Sequence, residues 1–485
     1  MRHAVTVVLL AMLGALATLL YVQRADGEAG APVAQTASSA PAGSAGAASD
    51  KPGATPVASI AAGPAKPVPP RPPPLARAIR TVALGWELLA PGVLASDAPA
   101  GAPSAYKTAG LEVSFANATS MDEVEAALAR GGGDATGADL AIVPLSSYAA
   151  SYERLRALTP ELMFVVGWSR GREALFGRDL AALARPPATG SVRLAATAGR
   201  PETLFALVML DLAGVPPSRI ELVDPPAALT AALRTTRKPP SGKLLVSSAD
   251  TPRLMPLVAV VPHGFAAAHA AELEAWTRAW LGGVAQLHRD PPAAGRLVAT
   301  LPGAPPVLGV IEALGQLEFA SLRENAAAFG LSGRGALTLD EICRTTWRIW
   351  RDTGVITTPV PEAAPLFADV VAALVRADPA AVAQQPPPRD PTGDTARRPD
   401  VLLVVRTPPG ASGKLDADAF VTRIGLLAGI FDRLQLRVAA KDGPRAAELL
   451  TDLARDRFGL RPDQLVPSPR PAVGAAATID VLAPR

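Results

Sequence analysis

Apolar runs alternate with polar turns and helical patterns along the middle of the chain. Between residues 80 and 250, each unit is a short apolar run, a polar or glycine-rich turn, and a segment with apolar residues at helical spacing. The five units begin at Thr81, Ala138, Glu161, Ser191 and Lys243. Strands that alternate with helices form parallel sheets covered by helices. The pattern therefore predicts an α/β fold with a parallel sheet.

The turns after these strands carry the candidate binding residues. In open α/β sheets, ligands bind beyond the carboxyl ends of the strands, where these turns lie. The polar and aromatic residues of the turns are Trp86, Glu87, Ser146, Ser147, Ser169, Arg170, Arg200, Thr203 and Ser248. Side chains of these kinds are better suited to binding a small polar ligand than to catalysing a reaction of it.

The order of the remaining elements predicts two lobes. We expect the chain to leave the first lobe near Val166, build the second lobe, and return through an apolar strand over 254–262. The last helices should then pack back on the first lobe. The predicted helices of this region cover 203–212, 227–233, 267–281, 307–317, 339–351 and 366–376.

The C-terminal tail has its own alternation of strand and helix. Apolar runs over 400–405, 434–440 and 477–484 predict strands, and segments 415–434 and 444–460 predict two helices between them. The order strand, helix, strand, helix, strand predicts a small α+β domain.

The N-terminus and two proline-rich stretches divide the chain. Nineteen uncharged residues run from Ala4 to Val22, which is long for a signal-peptide core and just long enough to span a bilayer. We expect an uncleaved signal anchor, with a cleaved signal peptide as the alternative. The predicted segments are an anchor over 1–24, a disordered Ala/Pro-rich linker over 25–75, a two-lobed domain over 76–377, a Pro-rich linker over 378–399 and a tail domain over 400–485.

Composition excludes several kinds of function. The 485 residues include one cysteine, Cys343, and four histidines, which leaves no disulfide framework and disfavours a zinc site. The net charge is +3, and acidic and basic residues are interspersed, so the charge distribution gives no indication of nucleic-acid binding. No phosphate-binding or dinucleotide fingerprint occurs, so we expect no cofactor and no metal.

In its order of elements the two-lobed domain over 76–377, called the body below, resembles the periplasmic solute-binding proteins of ABC importers. The similarity is to the nitrate, taurine and alkanesulfonate type, which shares its fold with thiamine-pyrimidine synthesis proteins. It rests on these segments within residues 81–376: VALGWELLAPGVLA, SMDEVEAALARGGGDATGADLAIVPLSSYAASYERL, FVVGWSRGREALFGRDLAAL, GVPPSRIELV, PLVAVVP, LRENAAAFGL and TTWRIWRDTGVI. The resemblance implies a two-lobed fold of the type II periplasmic-binding class that closes on a small solute like a hinged clamp.

The resemblance also implies a site between the lobes. Trp86 would stack on the ligand, and Gly199, Arg200 and Thr203 would open a helix whose N-terminus suits a sulfonate, phosphate or carboxylate. Arg170 and Arg200 would each add a bidentate clamp. In the competing interpretation, Trp86 is a core residue between helices, and Arg170 and Arg200 are solvated arginines of loops. The implied function is capture of a small anionic solute for an ABC permease or for sensing.

Two other functions remain open from the sequence. One is a protein-interaction role alone, in which the cleft between the lobes is vestigial and the tail docks to envelope partners. The other is a serine hydrolase, because Gly167-Trp168-Ser169-Arg170-Gly171 follows a strand as a nucleophile elbow does. A triad would then need Asp224 or Asp250 and one of the downstream histidines, which are His263, His269 and His288. Arg172 stands where an elbow needs a small residue.

The tail resembles the peptidoglycan-binding OmpA-like domain. The matching pieces are Arg445-Ala446 at the start of the second helix and FGLRPDQL over 458–465. The resemblance implies that Asp442 and Arg445 hold the diaminopimelate end of the peptide, which makes peptidoglycan a candidate partner. Ala439-Ala440-Lys441 replaces the usual Gly-His-Thr, so the domain is a degenerate member.

Overall fold

The computed structural model describes residues 75–96, 104–177, 191–223, 231–233, 243–383, 400–410 and 414–483. The predicted anchor, residues 25–74 of the first predicted linker and residues 384–399 of the second lie outside the described residues. The described residues all belong to one compact unit. Among the described residues, no helix combines the length and the apolar character needed to cross a membrane.

The first part of the chain alternates strands and helices, as the sequence predicts. Its elements are β1 (Ile79–Leu84), α1 (Ala90–Ser96), α2 (Ala105–Thr108), β2 (Val113–Ala118), α3 (Met121–Arg130), β3 (Leu140–Pro144), α4 (Leu145–Leu155) and β4 (Pro160–Ser169). β1 pairs in parallel with β2 on one side and β3 on the other. β4 is almost wholly buried, which matches its unbroken apolar run.

The chain then builds a second sheet. Its elements are β5 (Ala174–Gly177), β6 (Val192–Ala195), α5 (Pro201–Leu212), β7 (Ile220–Val223), β8 (Ala231–Leu233) and β9 (Lys243–Ser247). The five described strands lie in the order β7-β6-β8-β5-β9, with β6 parallel to β7 and β8, and β5 antiparallel to β8 and β9.

The predicted helix over 227–233 is wrong at its C-terminal part. Residues 231–233 form β8, which pairs with Leu194–Ala195 and with Leu175–Gly177. Alanine-rich sequence favours a helix, but backbone pairing on two sides overrides that weak local preference. Residues 224–230 lie outside the described part of the chain.

The chain returns to the first sheet through β10. The following elements are β10 (Pro256–Pro262), α6 (His263–Ala268), α7 (Ala270–Arg289), α8 (Pro291–Val298), α9 (Val307–Gly315), β11 (Leu317–Phe319), α10 (Leu322–Ala328), α11 (Leu339–Asp352), α12 (Asp369–Ala377) and α13 (Pro379–Ala383). The predicted return strand is present, and the predicted helices over 339–351 and 366–376 correspond to α11 and α12.

The first sheet is mixed, whereas the sequence predicts a parallel one. Its described strands lie in the order β11-β4-β10-β3-β1-β2. β10 inserts between β3 and β4 and runs antiparallel to both, and β11 runs antiparallel to β4. The chain leaves this sheet at the carboxyl end of β4 and re-enters at the same edge. A strand that starts from that edge must run in the opposite direction.

A buried asparagine holds the last helices against the first sheet. Asn325 of α10 is fully buried, and its side-chain amide donates to the Val165 carbonyl at 2.9 Å and accepts from the Val165 N–H at 2.7 Å. The amide thus takes the place of a strand neighbour at this point of β4. A capping box of Ser321 and Glu324 begins the helix.

The tail forms a third sheet. Its elements are β12 (Asp400–Thr407), α14 (Ala417–Ile430), β13 (Gln435–Ala440), α15 (Pro444–Phe458), β14 (Leu465–Pro467) and β15 (Ala477–Ala483). The described strand order is β12-β15-β13-β14, with β15 antiparallel to both neighbours and β14 parallel to β13. The predicted order of strands and helices is present, with β14 as an additional short strand.

Candidate functional site

A cleft of about 970 Å³ lies where the carboxyl edge of the first sheet meets the second sheet. It is lined by the turns after β1, β2 and β3, the end of β4, the start of β10, and the segment that opens α5. The sequence places the candidate site at this edge for the general reason that parallel strands end there. The volume lies within the range of about 300–1,000 Å³ that is usual for small-molecule sites.

Five of the sequence-predicted residues line this cleft. They are Trp86, Glu87, Ser147, Ser169 and Arg200. They come from four separate turns, so only the fold brings them together. Their contact with a ligand stays a prediction.

Four predicted residues lie outside the lining and serve the structure around it. The Thr203 hydroxyl donates to the Thr197 carbonyl at 2.6 Å, and the Ser248 hydroxyl accepts from the Gly171 N–H at 2.7 Å. Both side chains are fully buried. Ser146 is buried, and its carbonyl accepts from the Trp350 indole N–H at 3.0 Å. Arg170 is exposed to solvent. Ser146, Arg170, Thr203 and Ser248 are not part of the lining, and their contact with a ligand stays a prediction.

Several polar residues of the lining were missed from the sequence, among them Arg172 and Glu173. Both lie in the segment between β4 and β5 and face the cleft. The Arg172 guanidinium binds the Glu87 carboxylate at 2.5 Å, and the Ser169 hydroxyl donates to the Glu173 carboxylate at 2.5 Å. The signal was present in the charged pair that directly follows Ser169-Arg170-Gly171.

Gly85 lets the first turn fold back on itself at the cleft. Its φ is 113°, in a region that favours glycine, and a Cβ there would lie 2.8 Å from the Glu87 carboxylate. This close approach leaves Glu87 buried beside the cleft and within reach of Arg172.

Two helices begin at the cleft without a side-chain cap. α4 starts after Pro144 and α5 starts after Arg200, and neither of these residues makes a capping hydrogen bond through its side chain. First-turn N–H groups have no partner within their own helix, and the helix dipole places partial positive charge there. α3 differs, because the Ser120 side chain accepts from the Glu123 N–H. The cleft therefore offers two uncapped helix N-termini to an anionic group.

The arginines of the lining already have carboxylate partners. Arg172 binds Glu87, Arg154 binds Glu125 at 2.6 Å through two bonds, and Arg200 lies 3.2 Å from Glu202. The lining is thus close to charge balance rather than strongly cationic.

The geometry around Ser169 is not that of a nucleophile elbow. Ser169 ends β4, and the next element is strand β5 rather than a helix. Its hydroxyl is bonded to Glu173, and no histidine lines the described part of the cleft. His263 lies 3.2 Å from Glu161, and His269 lies 3.9 Å from Glu272. A triad built on Ser169 is therefore not assembled from the described residues.

The candidate residues of the tail are both exposed. Asp442 follows β13, and Arg445 lies in the first turn of α15. Neither side chain forms a hydrogen bond or an ion pair with the described residues. Both are accessible to solvent, and their contact with peptidoglycan stays a prediction.

Comparison with known proteins gives structural similarity only. No protein-family profile matches the chain, and no curated protein matches it in sequence. It is similar in structure to a periplasmic sulfonate-binding protein of an ABC transporter from Methylobacillus flagellatus KT, with 14% identity, 65% of this chain and 98% of that chain covered, and a TM-score of 0.45. For the periplasmic aliphatic sulphonate binding protein of Escherichia coli, the identity is 13%, the covered shares are 67% and 97%, and the TM-score is 0.40.

The chain is similar in structure to an enzyme as well. The desulfurization enzyme DSZB is 14% identical, with 62% of this chain and all of that chain covered and a TM-score of 0.36. At such scores the similarity assigns neither a ligand nor an activity to this chain. The structurally similar proteins include both binding proteins and an enzyme. The functional conclusion rests on the geometry of the cleft.

Proposed function

We propose that the chain is an envelope solute-binding protein that reversibly captures a small anionic solute in its cleft, for import by an ABC permease or for sensing. The observation that carries this proposal is the cleft itself. Turns from the first sheet and the opening of α5 from the second sheet line one volume of about 970 Å³. The chain passes between the two sheets at the end of β4 and the start of β10, which is the arrangement that a hinged clamp requires.

The chemistry of the lining supports an anionic solute. Two uncapped helix starts supply N–H donors and partial positive charge. Trp86 is half-buried in the lining and offers an apolar face. Arg200 is exposed at the start of α5, where a weak pair with neighbouring Glu202 leaves it able to turn toward a solute.

Two exposed arginines give a matched test of this function. Arg200 lines the cleft and Arg170 does not. Native mass spectrometry of the purified protein should detect a co-purified small molecule. Arg200→Ala should lower its affinity roughly tenfold, since a charged hydrogen bond is lost. Arg170→Ala should retain the wild-type occupancy. A wild-type protein that carries no small molecule, or equal loss in both variants, would contradict the proposal.

A second candidate is a protein-interaction role with a vestigial cleft. The observation that favours it is the pairing of all three lining arginines with carboxylates of the chain. Such a cleft is satisfied without a solute. An empty cleft in the mass spectrum would support this function over solute capture.

We place the protein in the periplasm, with residues 1–24 as an inner-membrane anchor, and we propose that the tail is a degenerate OmpA-like domain. The exposure of Asp442 and Arg445 leaves both available to a ligand in the cell wall. Peptidoglycan is therefore the proposed partner of the tail.

A further inference from the structure

Glu173 is a buried carboxylate at the wall of the cleft. Its residue is 6% exposed, yet it belongs to the cleft lining. One carboxylate oxygen, Oε2, accepts the Ser169 hydroxyl at 2.5 Å. The other oxygen, Oε1, has no hydrogen bond with the described residues. The backbone is fixed as well, because the Glu173 N–H donates to the buried Ser248 hydroxyl at 3.3 Å.

Within the described residues, the other two carboxylates of the lining are paired with arginine, and Glu173 is not. Glu87 binds Arg172 at 2.5 Å, and Glu202 lies 3.2 Å from Arg200. Within the described part of the chain, no lysine, arginine or histidine forms an ion pair with Glu173. Arg172 is its neighbour in sequence, but that guanidinium is bonded to Glu87.

A buried carboxylate without a countercharge is costly to the free protein. Transfer of a charge out of water is compensated only by a paired charge or by several hydrogen bonds. Ser169 supplies one hydrogen bond to the carboxylate, and Glu173 is part of the cleft lining. A cationic donor that enters the cleft gains this interaction without displacing a residue of the chain.

We propose that the solute is a zwitterion whose cationic nitrogen, a primary ammonium or guanidinium, binds Glu173 while its anionic group lies at the N-termini of α4 and α5. This inference rests on the proposed function and names the solute class. An N–H donor is required, because the free Oε1 is a hydrogen-bond acceptor. The indole of Trp86 in the same lining adds a favourable surface for a cation.

Matched pairs of small probes test this assignment. The pairs are 3-aminopropanoate with propanoate, 2-aminoethanesulfonate with ethanesulfonate, and 2-aminoethyl phosphate with ethyl phosphate. Each pair differs in the ammonium group alone. Thermal unfolding of the full chain, after removal of co-purified molecules, should show greater stabilisation by the amino member of at least one pair. The affinity difference should be roughly tenfold.

Substitution of Glu173 then locates the effect. Glu173→Gln keeps the shape and removes the charge, so the preference for the amino member should disappear. Glu362→Gln, at an exposed position outside the cleft, should retain it. If Glu173→Gln does not fold, the comparison within each pair on the wild-type protein still decides.

Each result has a distinct meaning. Equal or greater stabilisation by the probes without an amino group would overturn the assignment of a cationic group and leave solute capture standing. Stabilisation by no probe of either kind would count against both the solute class and the proposed function. An amino preference that survives Glu173→Gln would show that another group binds the cation and would overturn the role of Glu173.

Discussion

At the scale of single residues, Ser169 shows how a motif acquires its meaning from its neighbours. The sequence presents it as the centre of Gly-x-Ser-x-Gly after a strand. The fold gives its hydroxyl a carboxylate acceptor at 2.5 Å and continues into a strand. A carboxylate alone orients the hydroxyl, whereas the triad mechanism requires a histidine to take the proton. Ser169 is therefore a positioning residue for Glu173.

Covalent labelling checks this role of Ser169. A fluorophosphonate probe reacts with an activated serine, so we expect no labelling of the native protein. A known serine hydrolase in the same reaction serves as the positive control. Labelling that is stoichiometric, and that disappears in Ser169→Ala, would establish a nucleophile and overturn the assignment as a binding protein.

At the scale of elements, α4 is fixed at both ends by α11 and the loop after it. Near its start, the Ser146 carbonyl accepts from Trp350 of α11. Near its end, Glu153 accepts four hydrogen bonds, from the N–H and hydroxyl groups of Thr357 and Thr358. These bonds lower the pKa of Glu153 from 4.5 to about 2. The helix whose N-terminus faces the cleft is thus held by elements from far along the chain.

The lowered pKa of Glu153 predicts a pH-dependent contribution to stability. A carboxylate whose folded pKa is lowered stabilises the protein above its unfolded pKa, and this contribution is lost as pH falls through the folded value. Glu153→Gln should therefore lower the melting temperature at pH 6. The difference from wild type should shrink between about pH 4.5 and pH 2, where Glu153 itself becomes neutral.

Differential scanning fluorimetry across this pH range gives the measurement. Glu362→Gln, at an exposed position, is the control and should follow the wild type at every pH. A difference between Glu153→Gln and wild type that stays constant down to pH 2 would show that the charge of Glu153 has no role.

At the scale of the whole molecule, the tail packs against the body rather than standing apart from it. Arg433 binds Glu318 of β11 at 2.7 Å, and Glu318 also lies 3.2 Å from Arg253, which precedes β10. Gly429 of α14 packs on Leu337, so closely that a Cβ there would lie 2.5 Å from the Leu337 Cβ. Residues 400–483 therefore share a packed and charged interface with the body.

Cleavage between the two parts tests this interface. With a protease site inserted between residues 384 and 399, the cleaved tail should still co-elute with the body on size exclusion. Gly429→Ala should release it, because the added methyl group has no room beside Leu337. Gly282→Ala is the control, since a Cβ there meets no atom within 4 Å. Release of the wild-type tail after cleavage would contradict the docking.

The sequence by itself determined the local elements and the edge at which the site lies. The apolar runs of β1, β3, β4 and β10, and the helical spacing of α11 and α12, come from patterns within a few residues. The rule that ligands bind beyond the strand ends named nine candidate residues. Five of them, Trp86, Glu87, Ser147, Ser169 and Arg200, line the cleft.

Only the tertiary structure decided which groups meet. Three features depend on residues distant in sequence: the antiparallel entry of β10, the strand at 231–233 and the partner of Arg172. Local patterns report which side of an element is apolar, but they carry no information on its partner across space. The charge balance of the cleft follows from those partners, and the proposed class of solute rests on that balance.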